Sequence, residues 1–238
     1  MKLARLALTF AVLLTCTSAL GQSKVALGYY KEGVALGNDN KIEEAIGKFQ
    51  KAVAFEPTVF EFNLKLAFAY EMQGRLPEAR AAYEAAIKLK STPEGHRGLA
   101  DVLRWTRFFE DSEKAYQKAM GMKRNYADAM SGMALLHIER DELDKAAEMF
   151  LKVMKIEPKN PDIAYKVAGV YFKAEKWDDA ATYYRKAIEL KSDKPEAHFG
   201  LGTCLLKKGD NEGAKDPLKK ACEGGVKKAC SELFKINN

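Results

Sequence analysis

Apolar positions along the chain recur at helical spacing and come in pairs of runs. From Ala127 onward, Met130, Met133, Ala134 and His137 share one helical face, a polar break follows at Glu139 to Glu142, and Ala146, Met149, Phe150 and Val153 restore the face. This pattern predicts two amphipathic helices joined by a short turn. The double run returns in units that begin at Ala26, Phe60, Pro93, Ala127, Pro161 and Pro195, with every step 34 residues except the second, which is 33. Gly74 and Gly209 stand in the corresponding breaks, where a helix end favours positive φ. Pro57 and Pro158 close second helices, and Pro93, Pro161 and Pro195 open the first helices that follow. Nothing over this region alternates with period two for the length of a strand. The fold class is therefore all-α.

Numbering each unit from its first residue exposes a packing code. Slot 8 is always small (Gly33, Ala67, Ala100, Ala134, Ala168, Gly202), and so is slot 20 (Ala45, Ala79, Ser112, Ala146, Ala180, Ala214). Slot 24 is large: Phe49, Tyr83, Tyr116, Phe150, Tyr184 and Leu218. Slot 27 is small again at Ala52, Ala86, Ala119, Ala187 and Ala221, with Val153 the exception. Small side chains let two helices approach closely, and a bulky neighbour fills the groove that results. Repeats of this length signal a solenoid of stacked helix pairs.

With small residues at slots 8 and 20, an aromatic at 24 and proline near 32, residues 26 to 228 resemble the tetratricopeptide repeat family. Slot 4, often Trp in that family, holds Tyr29, Asn63, His96, Met130, Ala164 and His198 instead. The resemblance implies a right-handed superhelix of antiparallel helix pairs over residues 22–225, closed by a capping helix and tail at 226–238. Val226, Ala229, Leu233, Phe234 and Ile236, interspersed with Lys227, Lys228, Glu232 and Lys235, supply the amphipathic pattern of such a cap.

The hydrophobic fraction of 47% and charged fraction of 30% belong to the globular class. The first 21 residues do not. Lys2 and Arg5 precede an apolar stretch from Leu6 to Leu14, and Ala19-Leu20-Gly21 before Gln22 has the form of a signal-peptidase site. The stretch is shorter than the roughly 20 residues of a transmembrane span. A cleaved export signal of bacterial type, with a periplasmic or secreted product, is the expectation. The alternative is a lipoprotein signal acylated at Cys16, against which Thr15 stands, and only that alternative places the chain on a membrane.

Loss of Cys16 with the signal leaves Cys204, Cys222 and Cys230. Cys222 and Cys230, with seven residues between them across Gly224-Gly225, resemble the cysteine pair of Sel1-like repeats, which implies a disulfide clipping two successive helices. Such a clip stabilises a terminus by about 2 to 3 kcal/mol. Two buried free thiols remain the alternative, and Cys204 reads as an inert core residue.

Candidate chemistry is sparse. His96, His137 and His198 occupy packing slots. There is no His-x-x-x-His pair, Cys-x-x-Cys pair, calcium loop, phosphate loop or nucleophile elbow, so no catalytic residue, metal or cofactor is assigned. Glu43, Glu44, Asp178 and Asp179 lie at helix starts, where they favour the dipole. The net charge of +6 is spread over many lysines, including Lys207-Lys208 and Lys219-Lys220, and forms no nucleic-acid footprint.

In the family that the chain resembles, slots 2, 5, 9 and 12 of each first helix line the concave groove. Carried over, these are Tyr30 and Val34; Leu64, Phe68 and Glu71; Arg97, Asp101 and Arg104; Ser131, Leu135 and Ile138; Tyr165 and Phe172; and Phe199 and Thr203. Large apolar side chains there mark a binding surface, or they pack between adjacent first helices as an extended core. No unit places Lys and Asn at slots 5 and 9, so the family's carboxylate clamp is absent. The resemblance implies a non-catalytic scaffold of the cell envelope. Its partner would be a protein or peptide segment with apolar side chains, its acidic group held by Arg97 and Arg104. A tethered lipoprotein aiding an outer-membrane or pilus complex, as the six-repeat pilotins do, is the alternative.

Overall fold

The structure is a computed structural model that describes residues 23–192 and 194–237. The leader expected over residues 1–21, with Cys16, lies outside them. Contacts divide the chain between Lys123 and Arg124 into two units. The first holds α1 (23–38), α2 (Ile42–Phe55), α3 (Phe60–Met72), α4 (Leu76–Leu89), α5 (Pro93–Trp105) and α6 (Phe109–Met122). The second holds α7 (Ala127–Glu139), α8 (Leu143–Ile156), α9 (Pro161–Lys173), α10 (Trp177–Glu189), α11 (Pro195–Lys207), α12 (Asn211–Glu223) and α13 (Lys227–Asn237). Among the described residues there is no strand.

From α2 onward each helix packs on the next within its unit, and first helices also touch, α3 on α5 and α9 on α11. The packing code is visible atom by atom. A β-carbon added at Gly33 would lie 2.7 Å from the Phe49 ring, and one at Gly202 would lie 2.7 Å from Leu218. Slot 6 does the same work across repeats, since a β-carbon at Gly98 would overlap the Tyr83 ring and one at Gly200 the Tyr184 ring. The ring fills the space that the missing side chain leaves.

The turns inside the repeats share one geometry. Slot 15 is left-handed in all six repeats, at Asn40, Gly74, Arg107, Asp141, Glu175 and Gly209, with φ between 56° and 80°. The following N–H then reaches back to the carbonyl five residues earlier: Lys41 to Leu36, Arg75 to Tyr70, Phe108 to Leu103, Glu142 to His137, Lys176 to Tyr171 and Asp210 to Leu205, at 2.8–2.9 Å. This is the Schellman closure, which satisfies a helix-end carbonyl whatever residue occupies the left-handed position. Nothing lies within 4 Å of a β-carbon built on Gly209 or on Gly169 inside α9. Gly209→Ala therefore isolates the backbone cost and is expected to destabilise by about 1 kcal/mol, whereas Gly169→Ala stabilises by about 0.5–1 kcal/mol. Urea denaturation of the two variants should shift the midpoint in opposite directions, and shifts of the same sign would refute this account of the turn.

Buried polar groups are tied into the scaffold. Asn63, in the slot where Trp is frequent, donates from Nδ2 to the carbonyls of Pro57 and Val59, each at 2.9 Å, and so fixes the entry to α3. Ser112 donates to the carbonyl of Ala100 at 2.7 Å, joining α6 to α5. His137 is buried with Nδ1 2.6 Å from Glu142 Oε2.

Candidate functional site in the first unit

The first helices of this unit present two adjoining hollows. One, of about 230 Å³, is lined by Gly33, Val34, Gly37, Asn38, Ile42, Ala45, Phe49, Lys65, Phe68, Ala69 and Met72. The other, of about 210 Å³, is lined by Leu64, Lys65, Phe68, Tyr83, Glu94 and Arg97. Phe68 and Lys65 stand on the ridge between them, and Phe68 is 41% exposed although it is a large apolar side chain on a packed helix. The structure thus brings together four groove residues expected from the sequence: Val34, Leu64, Phe68 and Arg97. Tyr30 does not join them, since its ring stacks on Phe62 with centroids 4.9 Å apart.

Asp101 and Arg104 correct the sequence expectation. They are only 8% and 7% exposed, so neither meets a ligand at the surface. Asp101 Oδ1 accepts from the Tyr116 hydroxyl, and Oδ2 accepts from Arg97. Arg104 hydrogen bonds to the same tyrosine and covers the Trp105 ring at 5.4 Å. In the neighbouring repeat the Tyr83 hydroxyl donates to Glu71. Burial pushes both carboxyls, Asp101 and Glu71, up from their ordinary range, while the hydrogen bonds from Tyr116 and Tyr83 and the Arg97 charge pull them back. The tyrosines of slot 24 reach these slots from the adjacent second helix and draw them inward. Arg97 and Tyr83 are the members of the network that also line a hollow.

In the second unit the expected groove residues are half-buried against the core. Leu135 and Ile138 pack on the cluster around Phe150 and Val167, and Phe199 packs on the cluster around Leu201 and Leu218. Tyr165 meets Tyr184 edge-on at 5.8 Å, and Phe172 meets Trp177 edge-on at 5.2 Å. For these five residues the extended-core alternative describes the contacts.

Lys65 falls outside slots 2, 5, 9 and 12, the groove positions that the sequence predicts. It stands at slot 6, where Gly98 and Gly200 make room for rings, and its own side chain turns out to solvent. Among the described residues no group of three or more His, Cys, Asp or Glu is placed to hold a metal ion, and no helix is long and apolar enough to cross a membrane.

Family models described as "Tetratricopeptide repeat" and "TPR repeat" match residues 30–95 and 168–209. The chain carries tetratricopeptide repeats. Curated relatives are distant. The "BBSome complex member BBS4 homolog" of Drosophila melanogaster is 22% identical over 185 residues, 77% of this chain and 38% of that protein. The "Mitochondrial import receptor subunit TOM70" of Homo sapiens is 23% identical over 151 residues, 62% of this chain and 25% of that protein. The chain thus spans well under half the length of these relatives. Among solved structures, Pseudomonas aeruginosa pilF aligns with a TM-score of 0.72 and 15% identity, covering 91% of this chain and 98% of that one. YrrB, described as a TPR protein with an unusual peptide-binding site, aligns with a TM-score of 0.60 and 21% identity over 76% and 94%. At these identities the solved structures establish the fold of the tetratricopeptide repeat chain and nothing further. The repeats themselves support an interaction scaffold with protein or peptide partners.

Proposed function

We propose that this tetratricopeptide repeat protein is an exported, non-catalytic adaptor of a bacterial cell envelope that holds a segment of a partner protein against the first helices of its first unit. The observation that carries the reading is Phe68, exposed between the two hollows with Lys65 and Arg97 alongside. An aromatic ridge with cations at its flank has the composition of an interface anchor. The expected ligand is an extended or helical segment whose apolar side chains enter the hollows and whose carboxylate meets Lys65 or Arg97. Export rests on the sequence from Lys2 to Gly21.

A photo-crosslinking phenylalanine analogue at position 68, expressed in the native envelope, is expected to capture a partner that the same analogue at the exposed Ala81 of α4 does not. Phe68→Ala should weaken recovery of that partner roughly thirtyfold, corresponding to the loss of an anchor worth about 2 kcal/mol. Equal capture at both positions would refute the site. The tethered alternative is distinguished by the mass of the mature N-terminus, which is a free Gln22 for cleavage and a diacylglyceryl group on Cys16 for anchoring.

A further inference from the structure

The last two helices repeat a tetrapeptide whose lysines and cysteines the proposed site does not use. Lys219-Lys220-Ala221-Cys222 ends α12 and Lys227-Lys228-Ala229-Cys230 begins α13. The two cysteines are joined in a disulfide across the Gly224-Gly225 turn. Residues three apart share a helix face, so Lys219 stands on the face of Cys222 and Lys227 on that of Cys230. Both cysteines are half-buried, whereas Cys204 in the same unit is wholly buried, its thiol pushed up to about 11 by burial.

Besides the disulfide, α13 is held by its packing on α12. Of its own side chains Ala229 alone is fully buried, while Leu233 and Ile236, with Val226 before the helix, only half-cover the cluster that contains Leu218 and Ala221, and Phe234 is 71% exposed. Its covalent link and its one buried anchor are neighbours at the N-terminal end. A helix of 11 residues is shorter than the roughly 12–15 needed to persist by itself in water.

We propose that the Cys222–Cys230 pair is a redox-active site that exchanges with an external dithiol, and that its reduction unlatches α13 from α12. A thiolate of the dithiol attacks one sulfur of the pair, forming a mixed disulfide as the Cys222–Cys230 bond breaks, and the other cysteine leaves as a thiolate that takes up a proton. The second thiol of the reagent then displaces the remaining cysteine. The dithiol departs as its disulfide, and two electrons and two protons have passed to the protein. Ammonium groups on both helices favour the thiolate as leaving group and so speed the exchange. Once freed, α13 loses its helix and the apolar face of α12 loses its cover.

The test treats the full chain with dithiothreitol under native conditions, labels thiols with a maleimide and follows amide hydrogen exchange. Cys222 and Cys230 are expected to label while Cys204 stays unlabelled, with amides of residues 227–237 exchanging at least about tenfold faster than in the oxidised chain and those of α11 unchanged. Cys230→Ser should show the same fast exchange without reductant, and Lys219→Gln combined with Lys227→Gln should slow the reduction several-fold. Simultaneous labelling of all three cysteines would mean global opening and overturn the latch. So would a pair that is reduced only in denaturant, an α13 that stays protected after reduction or in Cys230→Ser, or an unchanged rate in the lysine variant.

Discussion

Replacing Asp101 with alanine is expected to cost the first unit about 3–5 kcal/mol, the cost of leaving the buried Arg104 without the carboxylate beside it. Asp101 accepts from the Tyr116 hydroxyl and from Arg97, and the Arg104 charge lies beside it. Deleting the carboxylate strips a buried tyrosine of its acceptor and takes the counter-charge from beside the buried Arg104 and the half-buried Arg97. Asp101→Asn keeps an oxygen for Tyr116 and should lose less. Urea unfolding followed by the fluorescence of Trp105, which lies under Arg104, reads both variants in the same unit. A loss below about 1 kcal/mol for Asp101→Ala would mean that the network is solvated and holds no charge in the interior.

Phe150→Ala is expected to destabilise the second unit by about 3–5 kcal/mol, the range for removing a fully buried ring from a core that cannot collapse. Phe150 is 1% exposed and lies in a cluster with Ala134, Ala146, Val153, Val167 and Ala187. These five neighbours are too small, or too stiff at the β-carbon, to move into the space. Leu135→Ala, at the edge of that cluster, removes a side chain that is only half-buried and should cost markedly less. Thermal unfolding monitored by circular dichroism separates the two, and similar losses would contradict the assignment of slot 24 as the centre of each repeat.

The helix pairs were legible because the code at slots 8, 20 and 24 is a matter of side-chain volume at fixed spacing, and Gly33 against Phe49 realises it within a single repeat. The left-handed turns were legible only where glycine marks them. At Arg107 and Glu175 the backbone closure imposes the conformation on residues that do not advertise it. The site was half legible. Slot position fixed where the α-carbons of Phe68 and Asp101 lie on their helices, but not what comes across from the next one. Beside Phe68 lies open space, whereas Tyr116 reaches Asp101 from α6 and draws it into the interior. Tyr165 and Phe172 were drawn inward in the same way by aromatic neighbours whose approach depends on three-dimensional packing.

Gly98 with Tyr83, and Gly200 with Tyr184, are each one shape divided between two positions about fifteen residues apart in the chain. A descendant that loses the ring inherits a void, and one that gains a methyl group at the glycine must evict the ring. Under sequence drift neither position is free to wander by itself, so lineages carrying this array should change both together or keep both.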